Sequence, residues 1–157
     1  MSAKFISLLL LGAAIFFCVP YTSAQQDAIA VVVNPANSTA DMNLGDLRKI
    51  FAGVRRSWPG GKPVKLVTRP PGCPERLALL KLVAMSENEY KQYWTTQVFR
   101  GEADSVPLVV PSVGMQKEAI AAFPGAISLV SFRNVKPGMK VIKIDGLLPG
   151  TEGYPLQ

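Results

Sequence analysis

The amino-acid sequence predicts a single α/β domain with a mainly parallel sheet and helices on both faces. Segments with strand character alternate with segments of helical periodicity, which is the order expected for parallel strands joined by helical crossovers. The first strand, residues 28–33, is a continuous apolar and largely β-branched run, typical of a strand buried on both faces. No linker is long enough to divide the chain, so we expect one domain over residues 25–157.

The first 24 residues predict a signal peptide that precedes this domain. Lys4 gives a basic start, residues 5–19 form an apolar run, and the small residues Ser23 and Ala24 end the segment. A run of about 15 residues is short for a membrane span, which needs ~20. We therefore expect cleavage after Ala24, a periplasmic or secreted protein, and no stable membrane span after cleavage. An uncleaved N-terminal anchor is the alternative.

The first half of the domain shows clear helix and turn signals. Asn43 can cap a helix in which Leu47 and Ile50 follow helical spacing, and Gly53 suits the position just beyond its end. A Pro-Gly-Gly turn follows Trp58 and leads to a second strand at residues 64–68. Pro74 then fits the first turn of a second helix. Apolar residues cover nearly the whole circumference of this helix, which predicts burial between layers.

The second half continues the alternation. Ser86 and Glu89 form a capping box for a third helix, which carries Tyr90 and Trp94 on one stripe. Ser112 can cap a fourth helix, whose inward side chains are expected to be Val113, Ile120 and Phe123. The remaining strands are predicted at residues 108–110, 127–131 and 141–144.

Composition excludes most catalytic and metal-binding classes. The chain has 157 residues, of which 18% are charged, and a formal net charge of +6. Its apolar fraction of 48% excludes a disordered polymer. It contains no histidine, so Ser-His-Asp triads, Cys-His pairs and histidine-ligated zinc or haem are excluded. Two cysteines cannot form a four-cysteine metal site or a disulfide framework. We expect no enzyme activity, no metal and no cofactor.

Several segments, in order, resemble the phosphate-binding proteins of bacterial phosphate ABC transporters. A leucine-containing helix runs into Ile50-Phe51-Ala52-Gly53, and a Trp, a Gly and a strand that ends in an arginine follow, as in that family. The resemblance covers roughly residues 29–156. Its pieces are residues 44–53, Trp58, Gly61, Pro63, Val64, Arg69, residues 124–127, residues 144–146, Pro149 and residues 154–156.

The resemblance implies one lobe of the two-lobed type 2 periplasmic-binding-protein fold. In that fold an anion lies in the cleft between the lobes, and the matching part here is the second lobe with its connecting strands. Residues 25–157 leave no room for the first lobe and its phosphate loop. The resemblance therefore implies a non-catalytic, single-lobe solute-binding-protein-like domain related to phosphate ABC transport, which binds phosphate or another small anion in a half-cleft.

The same resemblance implies four ligand-binding residues: Arg69, Cys73, Glu75 and Arg76. The family places an arginine, three further residues and then Ser-Gly-Thr at a helix N-terminus, where amides and the guanidinium hold the anion. Here Arg69 is retained, but Ser-Gly-Thr is replaced by Cys73, Pro74 and Glu75. A thiol is a weak donor, proline lacks an N–H, and a carboxylate repels a dianion. Weak binding is therefore expected, and Arg76 could compensate as a cation in the first turn.

Other interpretations stay open at this point. The domain could be a protein–protein interaction module that has lost ligand binding, or a second copy or second polypeptide could supply the missing lobe. Cys73 could be a reactive thiol at a helix start between two arginines, although a buried cap residue without chemistry is the simpler interpretation. A basic stretch, Arg55, Arg56, Lys62 and Lys65, could favour acidic partners or anionic lipids. Nothing in the sequence indicates nucleic-acid binding.

Overall fold

The computed structural model describes residues 28–157, so the signal peptide predicted at residues 1–24 lies outside the described residues. Helices α1 to α4 are Leu44–Phe51, Pro74–Val83, Glu87–Phe99 and Val113–Ala122, with a 3₁₀ turn at Phe132–Asn134. Strands β1 to β6 are Ile29–Val33, Asp41–Met42, Lys65–Thr68, Leu108–Val109, Ala126–Ser131 and Lys140–Ile144. Over the described range, no helix is long and apolar enough to cross a bilayer.

All six strands lie in one sheet in the order β2-β6-β1-β5-β3-β4. β1 runs antiparallel to both of its neighbours, with Val31 opposite Leu129 of β5 and Ile142 of β6. The other three pairings are parallel. Five strands therefore share one direction, and the predicted α/β class with a mainly parallel sheet is confirmed, with β1 as the antiparallel exception in the middle.

Alternating residues of β1 face two separate cores. Ile29, Val31 and Val33 point into the larger core, which α1, α2 and α3 cover. Ala30 and Val32 point into a smaller core on the other face, which α4 covers. All five residues of β1 are buried, as its unbroken apolar run predicts. The prediction of helices on both faces of the sheet is confirmed.

Three of the four helices begin at side-chain caps that the sequence predicted. The Asn43 side chain accepts a hydrogen bond from the Asp46 amide at 2.7 Å, and Ser112 accepts one from the Met115 amide at 3.1 Å. Ser86 accepts from the Glu89 amide at 3.3 Å, while the Glu89 carboxylate accepts from the Ser86 amide at 2.7 Å. These contacts satisfy amides that have no partner inside a helix.

Two packing predictions are wrong. α2 does not lie buried between layers, since it buries one face and leaves Leu77 58% exposed. The buried positions in its first turn hold Glu75 and Arg76, so polar contacts replace part of the apolar packing that the sequence predicted. Phe123 is 40% exposed, because α4 ends at Ala122 and the following residue leaves the helix face.

Gly125, just before β5, packs closely against Pro63, just before β3, and a substitution can test this contact. A Cβ atom at Gly125 would overlap the Pro63 carbonyl oxygen, and both are backbone positions that cannot rotate away. We expect Gly125→Ala to lower the free energy of unfolding by about 2 kcal/mol or more, measured by urea denaturation.

Gly114→Ala is the matched control, because its Cβ would meet only the Ser112 hydroxyl oxygen, at 3.8 Å. This substitution lies within α4 and should leave stability unchanged or raise it by up to about 1 kcal/mol. Equal unfolding midpoints for the two variants would contradict the packing described here.

Candidate functional site

The carboxyl ends of β5, β3 and β4 lie side by side, because these strands are parallel neighbours. We call this side of the sheet the carboxyl edge. The loop after β3 leads to the start of α2, and the loop after β4 leads to the start of α4. The positive ends of two helix dipoles therefore meet the same edge, where open α/β sheets commonly place their ligands.

Arg69 is the first residue after β3 and lies half-buried at the carboxyl edge. Its Nη1 donates a hydrogen bond to the carbonyl oxygen of Val110 at 3.2 Å, which ties the loop after β3 to the loop before α4. Its Nε is buried and has no acceptor in the part of the chain that the structure describes. Among residues 28–157, the guanidinium is thus held by one neutral hydrogen bond, and no carboxylate lies within salt-bridge distance of it.

Glu75 lies in the first turn of α2 and is only 4% exposed. Its Oε1 accepts hydrogen bonds from the hydroxyl of Ser131 at 2.6 Å and from the Ser131 amide at 3.1 Å. Burial raises the pKa of the Glu75 carboxyl, but the Ser131 hydrogen bonds, its own backbone amide and the charge of Arg69 outweigh burial. The net pKa lies below its ordinary value, so the group is a buried carboxylate.

Arg76 is 4% exposed and is held by contacts inside the protein. Its Nε and Nη2 donate to the two carboxylate oxygens of Glu87, at 3.0 and 2.7 Å, which is a bidentate ion pair. Its guanidinium lies 4.3 Å from the ring centre of Tyr90. The hydrogen bonds from Arg76 hold the pKa of Glu87 below its ordinary value. The Arg76 guanidinium is therefore paired with side chains of α3.

Cys73 is the N-cap residue of α2, but its side chain makes no capping hydrogen bond. Its thiol is free and half-buried, and its amide donates to the carbonyl of Pro70 at 3.4 Å. Pro74 follows and has no N–H to offer. The start of α2 thus presents few free amides. At the start of α4, by contrast, Ser112 caps Met115 and leaves the amides of the first two helical residues without a partner inside the helix.

Two concave regions lie away from Arg69. A cavity of about 140 Å³ at the opposite edge of the sheet is lined by Trp94, Leu66 and Val106, among others. A more open groove of about 540 Å³ surrounds the start of α1 and is lined by Asp41 and Asp145, among others. Both carboxylates cap backbone amides there. No cluster of three or more possible metal-ligating residues occurs in residues 28–157.

Of the four predicted site residues, Arg69, Cys73 and Glu75 come together at the carboxyl edge, whereas the Arg76 side chain reaches towards α3. Whether these residues bind an anion stays a prediction. Sequence reasoning missed Ser131 and Glu87, the partners of Glu75 and Arg76. The position of Ser131 at the end of a buried strand could have indicated it as a site residue. Glu87 lies between the capping-box residues Ser86 and Glu89, so its sequence position suggested only a role at the helix start.

No family model and no curated protein sequence is detectably similar to this chain. Solved structures are similar in fold. An ABC-type phosphate transport receptor from Vibrio cholerae superposes with a TM-score of 0.63 at 23% identity, over 78% of this chain and 48% of the receptor. A phosphate-bound putative phosphate ABC transporter substrate-binding protein from Clostridium perfringens gives 0.64 at 22% identity, over 82% and 51%. PstS from Borrelia burgdorferi gives 0.55 at 16% identity, over 78% and 49%.

The comparisons confirm the predicted fold: this chain has the architecture of part of a phosphate ABC transporter substrate-binding protein. It spans about half the length of the structures that it matches. Two of the three structures described are named for phosphate or phosphate transport. At identities below 25%, the similarity is one of fold.

The buried ion pair between α2 and α3 gives a test of stability. Glu87→Gln removes the charge that compensates Arg76, whose side chain is 5% exposed. We expect the free energy of unfolding to fall by about 2 kcal/mol, because a buried guanidinium is left without its counter-charge. Glu118→Gln, the same change at an exposed position of α4, should change stability by less than about 0.5 kcal/mol. Equal losses in the two variants would contradict this assignment.

The two depressed carboxyl pKa values predict loss of stability in acid. Glu75 and Glu87 both titrate in the folded protein below their ordinary value of 4.5, so their stabilisation is complete above that pH and is lost as the pH falls below it. Urea midpoints should be level from about pH 7 to about pH 5 and then decline towards about pH 3. The decline should be shallower in Glu87→Gln. A wild-type midpoint that stays constant or rises in acid would refute this prediction.

Proposed function

We propose that this chain is a non-catalytic, exported domain that binds a small inorganic anion, such as phosphate, weakly at Arg69. The observation that carries this proposal is the guanidinium of Arg69, held at the carboxyl edge between the starts of two helices, with a buried Nε that has no acceptor among residues 28–157. Helix N-termini and a guanidinium together favour an anion. The phosphate named for the Clostridium perfringens neighbour supports the choice of ligand.

The expected affinity is low because few donors remain free. Glu75 accepts hydrogen bonds from the hydroxyl and amide of Ser131, and Glu87 accepts them from two N–H groups of Arg76. Pro74 has no amide proton to donate. Each missing charge-assisted hydrogen bond costs about 1.5–3 kcal/mol, so the loss of two weakens binding at least about a hundredfold. A single lobe also leaves the anion open to water on one side. We expect a dissociation constant in the millimolar range or weaker.

The same contacts favour a second candidate function, a partner-binding module that has kept the fold without its ligand. The first turn of α2 satisfies its charges internally, and several apolar side chains are unusually exposed, with Phe99 at 91%, Val54 at 69% and Leu77 at 58%. A partner protein, or a second copy of the chain, would then bind where an anion binds in a complete cleft. In this candidate function Arg69 has no role in the cell.

Isothermal titration of residues 25–157 with phosphate tests the first candidate. We expect weak, saturable heats in the wild type and loss of those heats in Arg69→Ala. Arg100→Ala is the matched control, because it removes the same charge from an exposed position at the end of α3. Its dissociation constant should equal that of the wild type. Submicromolar binding in the wild type would refute the proposed weak affinity.

Two results would favour the second candidate instead. Equal titrations for wild type, Arg69→Ala and Arg100→Ala would remove Arg69 from any binding role. A cellular function that survives Arg69→Ala but fails when Phe99 is replaced by Ser would assign the activity to a surface that includes the exposed Phe99 side chain. A doubling of the molar mass in light scattering on addition of phosphate would instead support the first candidate, with a second copy of the chain completing the cleft around the anion.

A further inference from the structure

The carboxylate of Glu75 occupies a point at the carboxyl edge where several hydrogen-bond donors converge. The Ser131 hydroxyl donates at 2.6 Å and the Ser131 amide at 3.1 Å, and the Glu75 backbone amide in the first turn of α2 also stabilises the charge. The positive charge of Arg69 acts on the same carboxylate. With 4% exposure, Glu75 shields these donors from water.

This set of donors has the composition of a small oxyanion site. It combines a helix-start amide, a hydroxyl, the amide at the end of a buried strand and a nearby guanidinium, all of which stabilise negative charge. An external dianion would have to displace the buried carboxylate or lie beside it. In a partly buried site, like charges a few ångströms apart repel strongly, so the second arrangement is unfavourable.

We propose that the Glu75 carboxylate is a built-in anion that occupies the Ser131 hydrogen-bond donors. It thereby lowers the affinity of the site for external oxyanions such as phosphate. Arg69, half-buried at the border of this arrangement, is then the group left to attract an external anion. The inference rests on the proposed function in one respect, the role of Arg69 as the remaining anchor.

A purely structural role for Glu75 makes a different prediction. If the carboxylate only fastens the start of α2 to the end of β5, its removal costs stability and creates no new affinity. If it stands in for a ligand, its removal frees the donors, and an anion from solution can take its place. Chemical rescue by added anions separates the two roles, because lost packing is not restored by an anion.

The experiment compares wild type, Glu75→Ala and Glu75→Gln by thermal unfolding and by titration with phosphate and with formate, which has the size of the missing carboxylate. We expect Glu75→Ala to bind phosphate at least about tenfold more tightly than wild type, since the donors of Ser131 become available. Its melting temperature should rise with phosphate or formate concentration more steeply than that of wild type. The double variant Glu75→Ala, Arg69→Ala should lose most of the gain.

Glu118→Gln controls for the change in net charge and should bind phosphate as wild type does. If Glu75→Ala fails to fold, Glu75→Gln, which has nearly the volume of the native side chain, gives the same comparison of phosphate affinity. Equal or weaker phosphate binding in the folded Glu75 variant, without rescue by formate, would overturn the inference.

The experiment also separates this inference from the proposed function. Wild type that binds phosphate through Arg69, together with a Glu75 variant that gains nothing, keeps the function and overturns the role of Glu75. Wild type that binds no phosphate, together with a Glu75 variant that does, supports Glu75 as the built-in anion and refutes the proposed function.

Discussion

The hydrogen bonds between the Glu75 carboxylate and Ser131 are the contact on which the candidate site depends. They join the first turn of α2 to the carboxyl end of β5 through two residues that lie 56 positions apart in the chain. They also place a buried negative charge near Arg69. This carboxylate accepts the hydrogen bonds of the Ser131 donors at the edge of the sheet. The arrangement stabilises the single lobe and reduces its capacity for external anions at the same time.

The sheet explains why these groups meet at all. β5, β3 and β4 are parallel, so the residues after them and the helices that follow β3 and β4 start at one edge. β1 runs the other way in the centre and has both faces buried, which divides the apolar residues into two cores. Those two cores give this one lobe, which spans half the length of its fold neighbours, a complete hydrophobic interior of its own.

Local signals predicted much of the fold, and long-range contacts account for what they missed. Caps at Asn43, Ser86 and Ser112 follow from side-chain chemistry within three residues, so the helix starts could be predicted. The exposure of Leu77 could not, since apolar residues around a helix do not reveal which side another layer will cover. The family resemblance implied Glu75 and Arg76 as site residues, but their partners, Ser131 and Glu87, are set by the tertiary fold.

The most direct test of the central claim is a ¹H–¹⁵N NMR titration of the wild-type protein with phosphate, in which each donor reports for itself. If Glu75 holds its donors against external anions, the Nε–Hε signal of Arg69 moves with added phosphate while the amide signal of Ser131 stays in place. A Ser131 amide signal that moves as far as, or farther than, the Arg69 signal would show that phosphate reaches those donors. That result would contradict the account of Glu75 as the resident anion.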